Sequence, residues 1–196
     1  MIRTRFAPSP TGFLHVGGIR TALFAWLLAR QDPDGQFLLR LEDTDKAREV
    51  AGSDQHIIDS LLALGLNFDN PEGHPYRQSE HLEVYKEAAQ QLVDAGMAYA
   101  DPYTPAEVQA FREEAQKAHK PFLYRNHRPA DPPKWDGSRP LRFKATPQEW
   151  QWHDAVMGDL RAGPEVQDDF ILIKSDGYPT YNFAHIIDDE HMGLLM

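Results

Sequence analysis

Hydrophobic positions change their period along the chain, and the changes mark out its elements. Residues 3–7 read as a short strand, ended by Pro8-Ser9-Pro10-Thr11-Gly12, a loop that cannot continue a hydrogen-bonded ladder. Over residues 18–30 the apolar side chains Ile19, Ala22, Leu23, Trp26 and Leu27 recur at helical spacing. Asp32-Pro33-Asp34-Gly35 is a turn, and residues 37–41 make an apolar run fit for a buried strand. A second helix is expected to start at Ser53 or Asp54, both good N-caps. It carries Ile57, Ile58, Leu61, Leu62 and Leu64 on its inner side and stops at Gly65. A third is expected from Ser79 through Leu82, Tyr85, Ala89, Leu92 and Val93 to Gly96. Strand, helix, strand, helix predicts an α/β fold, a Rossmann-like doubly wound parallel sheet.

The pattern changes near residue 98. Thr104-Pro105-Ala106-Glu107 has the cap, first-turn proline and third-position acid of a helix start, and that helix is expected to reach Lys117. Residues 121–147 hold six prolines and read as loop. Strands are expected at 141–145 and 169–174, the latter before a Ser175-Asp176-Gly177 turn. Residues 98–178 therefore read as an insertion of α+β character with its own fold. Residues 183–187 resume a buried-strand or short-helix pattern running into Asp188-Asp189. A parallel sheet with only its first strands present would leave an open apolar edge, so the fold is expected to be incomplete.

Composition adds boundaries. The 196 residues are 41% hydrophobic and 26% charged, ordinary for a globular protein. The absence of cysteine excludes a disulfide framework and a Cys-ligated zinc site and fits a cytoplasmic location. No run approaches the roughly 20 apolar residues of a membrane span, so no membrane partner is expected. The net charge of −10 argues against a general nucleic-acid coat. The window 117–144, however, carries eight Lys or Arg against two acids, with Phe122, Tyr124, Trp135 and Phe143 interleaved. It is either a solvated loop or a local RNA-contact surface on an otherwise acidic chain.

The stretch with chemical content is Ala7-Pro8-Ser9-Pro10-Thr11-Gly12-Phe13-Leu14-His15-Val16-Gly17-Gly18, between the first strand and the first helix. In open α/β sheets this junction lies at the carboxyl edge of the strands, where ligands bind. Gly12 permits a sharp turn, while Gly17 and Gly18 let backbone approach a ligand. Free N–H groups at a helix start favour phosphate, and His15 can donate to a phosphate oxygen. An isolated His-x-Gly pair would say little; the glycines could merely cap a helix.

Residues 8–18 resemble the HIGH motif region of class I aminoacyl-tRNA synthetases, in the form typical of bacterial glutamyl-tRNA synthetases, with Gly18 at the last position of the four. Arg40-Leu41-Glu42-Asp43-Thr44-Asp45, Tyr76-Arg77-Gln78-Ser79-Glu80 and Ser175-Asp176-Gly177-Tyr178-Pro179-Thr180-Tyr181-Asn182-Phe183 resemble that family in the same order. The resemblance implies activation of L-glutamate by ATP and its transfer to the 3′ end of tRNA(Glu). It implies an ATP site on Pro8, Ser9, Pro10, Thr11, Gly12, His15, Gly17 and Gly18, of which His15, Gly17 and Gly18 are catalytic. Glutamate would be held by Arg5, Ala7, Ser9, Glu42 and Tyr181. Where some family members have an asparagine touching the substrate, this chain has His185. Asp43 and Asp45 are either caps or indirect magnesium contacts, and caps are the preferred reading.

The same resemblance divides the chain into 1–97, the first half of the catalytic domain, 98–178, an inserted domain for the tRNA acceptor end, and 179–196, the start of the second half. Lys117, Lys120, Arg125, Arg128, Arg142 and Lys144 become candidate tRNA contacts. Magnesium is expected on the ATP phosphates, with no zinc and no protein-held metal. A KMSKS-like motif is absent from the sequence, so these 196 residues alone are expected to activate glutamate very poorly. The rivals are a glutamyl-Q tRNA(Asp) synthetase and a non-catalytic nucleotide- or RNA-binding fragment. A glutaminyl-tRNA synthetase and a small nucleotidyltransferase fit the four motifs less well.

Overall fold

The apolar run at residues 37–41 is buried because its strand is the middle one of three. In the computed structural model, which describes residues 1–194, the elements run β1 (Arg3–Phe6), α1 (Val16–Ala29), β2 (Gln36–Leu41), α2 (Ser53–Ala63), β3 (Tyr76–Arg77), α3 (Leu82–Asp94), β4 (Ala98–Ala100), α4 (Pro105–Lys117), β5 (Leu141–Phe143), β6 (Trp150–Asp154), β7 (Gly158–Ala162), β8 (Ile171–Ile173) and α5 (Tyr181–His191). They form two compact units, one of residues 1–85 with the segment from Tyr181 onward, the other Lys86–Thr180. The first division falls within α3, upstream of the residue-98 boundary expected from the change in pattern.

In the first unit the strands lie in the order β1-β2-β3, all parallel, with Arg5 opposite Leu38 and Arg40 opposite Tyr76. Successive side chains of β2 alternate between faces. Phe37, Leu39 and Leu41 join Phe6, Ala22, Ala29, Ile57 and Leu61 in one core cluster beneath α1 and α2. The other face carries Leu38 and Arg40, and there Asp188 and Asp189 of α5 meet Arg40. A sheet buried on both faces explains why β2 reads as continuous rather than alternating apolar sequence.

Several expectations change in detail. The N-cap of α2 is Gly52, at φ 77°, because the Ser53 hydroxyl is used elsewhere: it donates to the carbonyl of Gly12. Ile57 and Leu61, one turn apart, are buried, but Leu62 and Leu64 lie on the outer side at 46% and 55% exposure. A 3₁₀ turn over Gln78–Glu80 precedes α3, which starts at Leu82 rather than Ser79. The segment after Tyr181 is a helix, with Phe183, Ala184 and Asp188 facing inward.

The second unit contains an antiparallel sheet in the order β4-β5-β8 and a separate hairpin of β6 with β7. Helix α4 begins with a full capping box, Thr104 and Glu107 each satisfying the other's backbone N–H. Polar groups hold the interior. Asp169 accepts from Arg128 at 2.8 and 2.7 Å, from the Tyr99 hydroxyl at 2.7 Å and from the Ala145 N–H at 2.9 Å. Asp168 accepts the N–H groups of Tyr124 and Arg125, both at 2.8 Å. Arg142 donates to Asp101 at 2.6 Å and to the Asp169 carbonyl at 2.8 Å, its guanidinium lying 3.4 Å from the centre of the Tyr124 ring.

Candidate active site

The loop between β1 and α1 is fixed by bonds from four places. Glu42 N–H donates to the Pro8 carbonyl and Val50 N–H to the Pro10 carbonyl, both at 3.0 Å. Ser53 reaches the Gly12 carbonyl, and Leu14 N–H donates to His56 Nδ1 at 3.2 Å. Two prolines remove N–H groups that would otherwise need partners. The loop thus keeps an irregular path and frames a cavity of about 280 Å³ whose lining includes Pro8, Ser9, Thr11, Gly12, His15 and Gly18.

His15 is the N-cap of α1, and its Nδ1 accepts the Gly17 N–H at 3.1 Å. That bond requires an unprotonated Nδ1, so the neutral ring carries its proton on Nε2. A donor is left at the mouth of the loop, beside the positive end of α1. A Cβ at Gly17 would stand 2.9 Å from His15 Cε1, and one at Gly18 2.6 Å from Leu14 Cδ1. The glycines therefore make room for the ring and loop of this chain, as well as for any ligand.

Charged groups lie at the neighbouring strand ends. Arg40, completely buried, donates through Nη2 to Glu42 Oε1 at 3.2 Å and through Nη1 to Asp189 Oδ1 at 2.6 Å. Asp189 also accepts from Arg5, Nε to Oδ1 at 2.8 Å and Nη2 to Oδ2 at 3.1 Å. The next residue inward, Asp188, accepts from Tyr76 at 3.0 Å, Tyr85 at 2.7 Å and Gln78 at 2.7 Å. Burial raises the Glu42 pKa above its ordinary value although Arg40 and Arg5 pull it down. Burial pushes Asp189 upward too, but hydrogen bonds from Arg5 and Arg40 outweigh it and hold its carboxyl below the usual range. Arg5 is raised in turn, chiefly by its bond to Asp189. Burial beside Asp188 raises both Tyr76 and Tyr85, keeping them protonated donors.

The sites marked in the sequence are brought together unevenly. Arg5, Ala7, Ser9 and Glu42 sit at adjacent ends of β1 and β2, while Tyr181 opens α5, the helix whose Asp189 holds Arg5. Tyr181 is 60% exposed and stacks on His185 at 4.7 Å, the His185 Nδ1 lying 2.7 Å from the Tyr181 carbonyl. Asp43 accepts the N–H and hydroxyl of Ser79 at 2.9 and 2.5 Å, and Asp45 takes Arg48 Nε at 2.6 Å. Asp43 thus caps the turn that begins at Gln78, whereas Asp45 makes a side-chain ion pair with Arg48. Among the described residues no group of three or more His, Asp or Glu is arranged to hold a metal ion.

Of the candidate tRNA contacts, Lys117, Lys120 and Lys144 are exposed. Arg142 is buried on Asp101, Arg128 is committed to Asp169, and Arg125 bonds the carbonyls of Pro164 and Gln167. Those three arginines are structural elements of the second unit. Sequence reasoning assigned no role to Arg40, Tyr76, Gln78, Tyr85, Asp188 or Asp189. The available signal was an arginine inside the apolar run 37–41, which demands buried acids somewhere in the chain.

A parallel sheet whose first β–α loop is pinned over a cavity, with an acid at the next strand end, is the arrangement of a Rossmann-like α/β domain, a class that binds its ligands at the carboxyl ends of the strands. The family described as tRNA synthetases class I (E and Q), catalytic domain, matches residues 1–195, and the chain belongs to it. It is 47% identical over 194 residues to a glutamate–tRNA ligase of Legionella pneumophila, covering 97% of this chain and 40% of that protein. A glutamate–tRNA ligase of Neisseria meningitidis is 44% identical over 200 residues, covering 98% of this chain and 42% of its own length. Among solved structures, a glutamate–tRNA ligase of Elizabethkingia meningosepticum in complex with its amino acid aligns with a TM-score of 0.86 at 36% identity, over 98% of this chain and 42% of that one. The chain thus spans about two-fifths of the length of these relatives.

Proposed function

We propose that these residues are the adenylate-forming part of a glutamate–tRNA ligase. The observation that carries the reading is the bond from Glu42 N–H to the Pro8 carbonyl. It holds an acid suited to a substrate ammonium against the loop suited to ATP. The glutamate–tRNA ligase activity of the relatives and the amino acid bound by the Elizabethkingia protein support the same assignment.

ATP lies along Pro8–Gly12, with His15 Nε2–H and the Gly18 N–H directed at its phosphates, while the Gly17 N–H stays on His15 Nδ1 and orients the ring. L-Glutamate takes the neighbouring place, its ammonium on Glu42, its side-chain carboxylate on Arg5 and Tyr181, its backbone against Ala7 and Ser9. One α-carboxylate oxygen attacks the α-phosphorus, the bond to the bridging oxygen breaks, and pyrophosphate leaves with that electron pair. A ribose hydroxyl at the tRNA 3′ end then displaces AMP from the adenylate. No side chain is consumed; the protein contributes positioning and charge stabilisation. Magnesium brought in with ATP would supply charge neutralisation at the phosphates. The described residues offer it no cluster of their own.

The second unit serves the acceptor end of tRNA(Glu), through exposed Lys117, Lys120 and Lys144. Among the described residues no helix is long and apolar enough to cross a membrane, and the proposed reaction belongs where tRNA is found, in the cytoplasm. Calorimetric titration of the chain with L-glutamate and with ATP tests the reading, since binding needs fewer parts than turnover. Binding of both ligands, with ATP lost in His15→Ala and glutamate lost in Glu42→Gln, is expected; absence of both from folded protein would overturn it. ATP–pyrophosphate exchange with tRNA present should be very slow for these residues alone.

A further inference from the structure

We propose that Asp189, with Arg40, is a positioning pair that fixes the Arg5 guanidinium relative to the Glu42 carboxylate and so sets the length of amino acid accepted. The proposal rests on the glutamate site described above. Arg5 lies opposite Leu38 in the β1–β2 register, so Arg40 and Glu42 follow on the same face at two-residue steps. Left alone, an arginine on β1 and an acid just past the end of β2 would keep their rotamer freedom. Here they are joined through an unbroken chain of charge-assisted bonds, Glu42 to Arg40 to Asp189 to Arg5. Its middle link, Arg40, is entirely buried.

The geometry also selects which edge of Arg5 is offered. A guanidinium has five N–H groups. Asp189 takes Nε–H and one on Nη2, which leaves the end-on edge formed by Nη1 and Nη2. That edge is itself a two-pronged fork for a carboxylate. Asp188 holds the supporting helix in register: α5 presents it to the core, bound by three donors, and so its neighbour Asp189 must face the Arg5–Arg40 pair. Neither acid need touch the substrate.

A selectivity titration tests this. The affinities of the chain for L-glutamate, the shorter L-aspartate and the longer L-2-aminoadipate are measured by calorimetry, with ATP as control, for wild type, Asp189→Asn, Asp189→Glu and Arg40→Lys. Asp189→Asn should weaken glutamate about thirtyfold, the loss of one charge-assisted contact. It should also shrink the preference of glutamate over aspartate and 2-aminoadipate at least tenfold, with ATP unchanged. A merely structural defect would weaken all three amino acids in proportion, and an unchanged preference would overturn the proposal. If wild type binds ATP but no amino acid, the glutamate site itself has failed, which is a different result. Should the variants fail to fold, the Nε–Hε resonance of Arg5 in wild-type protein decides. It should stay hydrogen-bonded and nearly unshifted as glutamate is added; its release on binding would show that Asp189 lets go, and the proposal would fall.

Discussion

The imidazole Nδ1 of His15 accepts the backbone N–H of Gly17, two residues along, at 3.1 Å. This short loop-closing bond turns Nε2–H outward, and it depends on Gly17 having no side chain, since a Cβ would stand 2.9 Å from His15 Cε1. Gly17→Ala should therefore displace the ring and weaken ATP binding about tenfold, the cost of roughly one hydrogen bond. Its unfolding midpoint should stay level or rise, because alanine is the better helix residue. Calorimetry and thermal melts of the same sample separate the effects. Unaltered ATP affinity would mean that His15 has no part in holding the nucleotide.

Glu42 supplies a pH signature. Its folded-state pKa is raised, chiefly by burial, above the ordinary 4.5. An acid must be ionised to accept an ammonium group, so glutamate affinity should be full well above that raised value and fall as pH drops through it. The decline should thus begin at a milder pH than for an exposed carboxylate. Asp189, held below the usual range by Arg5 and Arg40, stays charged across the same interval and contributes nothing to the slope. Titrations from neutral pH down through the carboxylate range should show the fall in wild type, earlier than for an exposed glutamate, and a flat, weak response in Glu42→Gln.

Much of this could be read in the sequence, for identifiable reasons. β1, α1, β2 and α4 announce themselves because each has a boundary with a mechanism: the proline-rich loop, the helix period, the buried apolar run, the Thr104–Glu107 box. β3 and β4 are two and three residues long, too short for any period. The β6–β7 hairpin puts Trp150, Trp152, Leu160 and Ala162 on one face, but each strand is only five residues long and both tryptophans are about half exposed, so nothing there matches the buried apolar run of β2. The site was legible as motif and not as network. The segments holding Arg40, Tyr76, Gln78 and Asp188 stood out individually, yet nothing local says that residues more than a hundred positions apart meet. The basic window was misleading in part, since Arg128 and Arg142 look like surface charge in one dimension and are internal ion-pair partners in three.

Asp188 should be the costliest single position in the first unit. It is fully buried and receives the hydroxyls of Tyr76 and Tyr85 and the amide of Gln78, with Arg40 Nε 3.7 Å away. Asp188→Ala would leave three donors unmatched, two of them (Tyr85 and Gln78) buried, and remove a charge facing an arginine that cannot reach water. Breaking such a buried pair from one side costs about 3–5 kcal/mol. Asp188→Asn keeps the shape and one acceptor, and should cost clearly less. Urea unfolding at neutral pH checks the order; equal, small losses would show that the carboxylate is dispensable.

The lysines and arginines of residues 117–144 should separate into two classes when each is replaced by alanine. Lys117, Lys120 and Lys144 are exposed, so their loss should leave folding within about 0.5 kcal/mol of wild type. If they meet acceptor-stem phosphates, each replacement should weaken tRNA binding and lower the slope of log affinity against log salt by about 1. Arg142 lies over Tyr124 and is bound to Asp101, and Arg128 is clamped on buried Asp169. Their replacement should unfold the second unit at lower denaturant and weaken tRNA only through that loss, so affinity should return when the folded fraction is corrected for. Filter binding at several salt concentrations, read beside urea melts of the same variants, resolves the classes. A salt slope reduced by Arg142→Ala, or left intact when all three lysines are replaced together, would move the RNA surface away from this window.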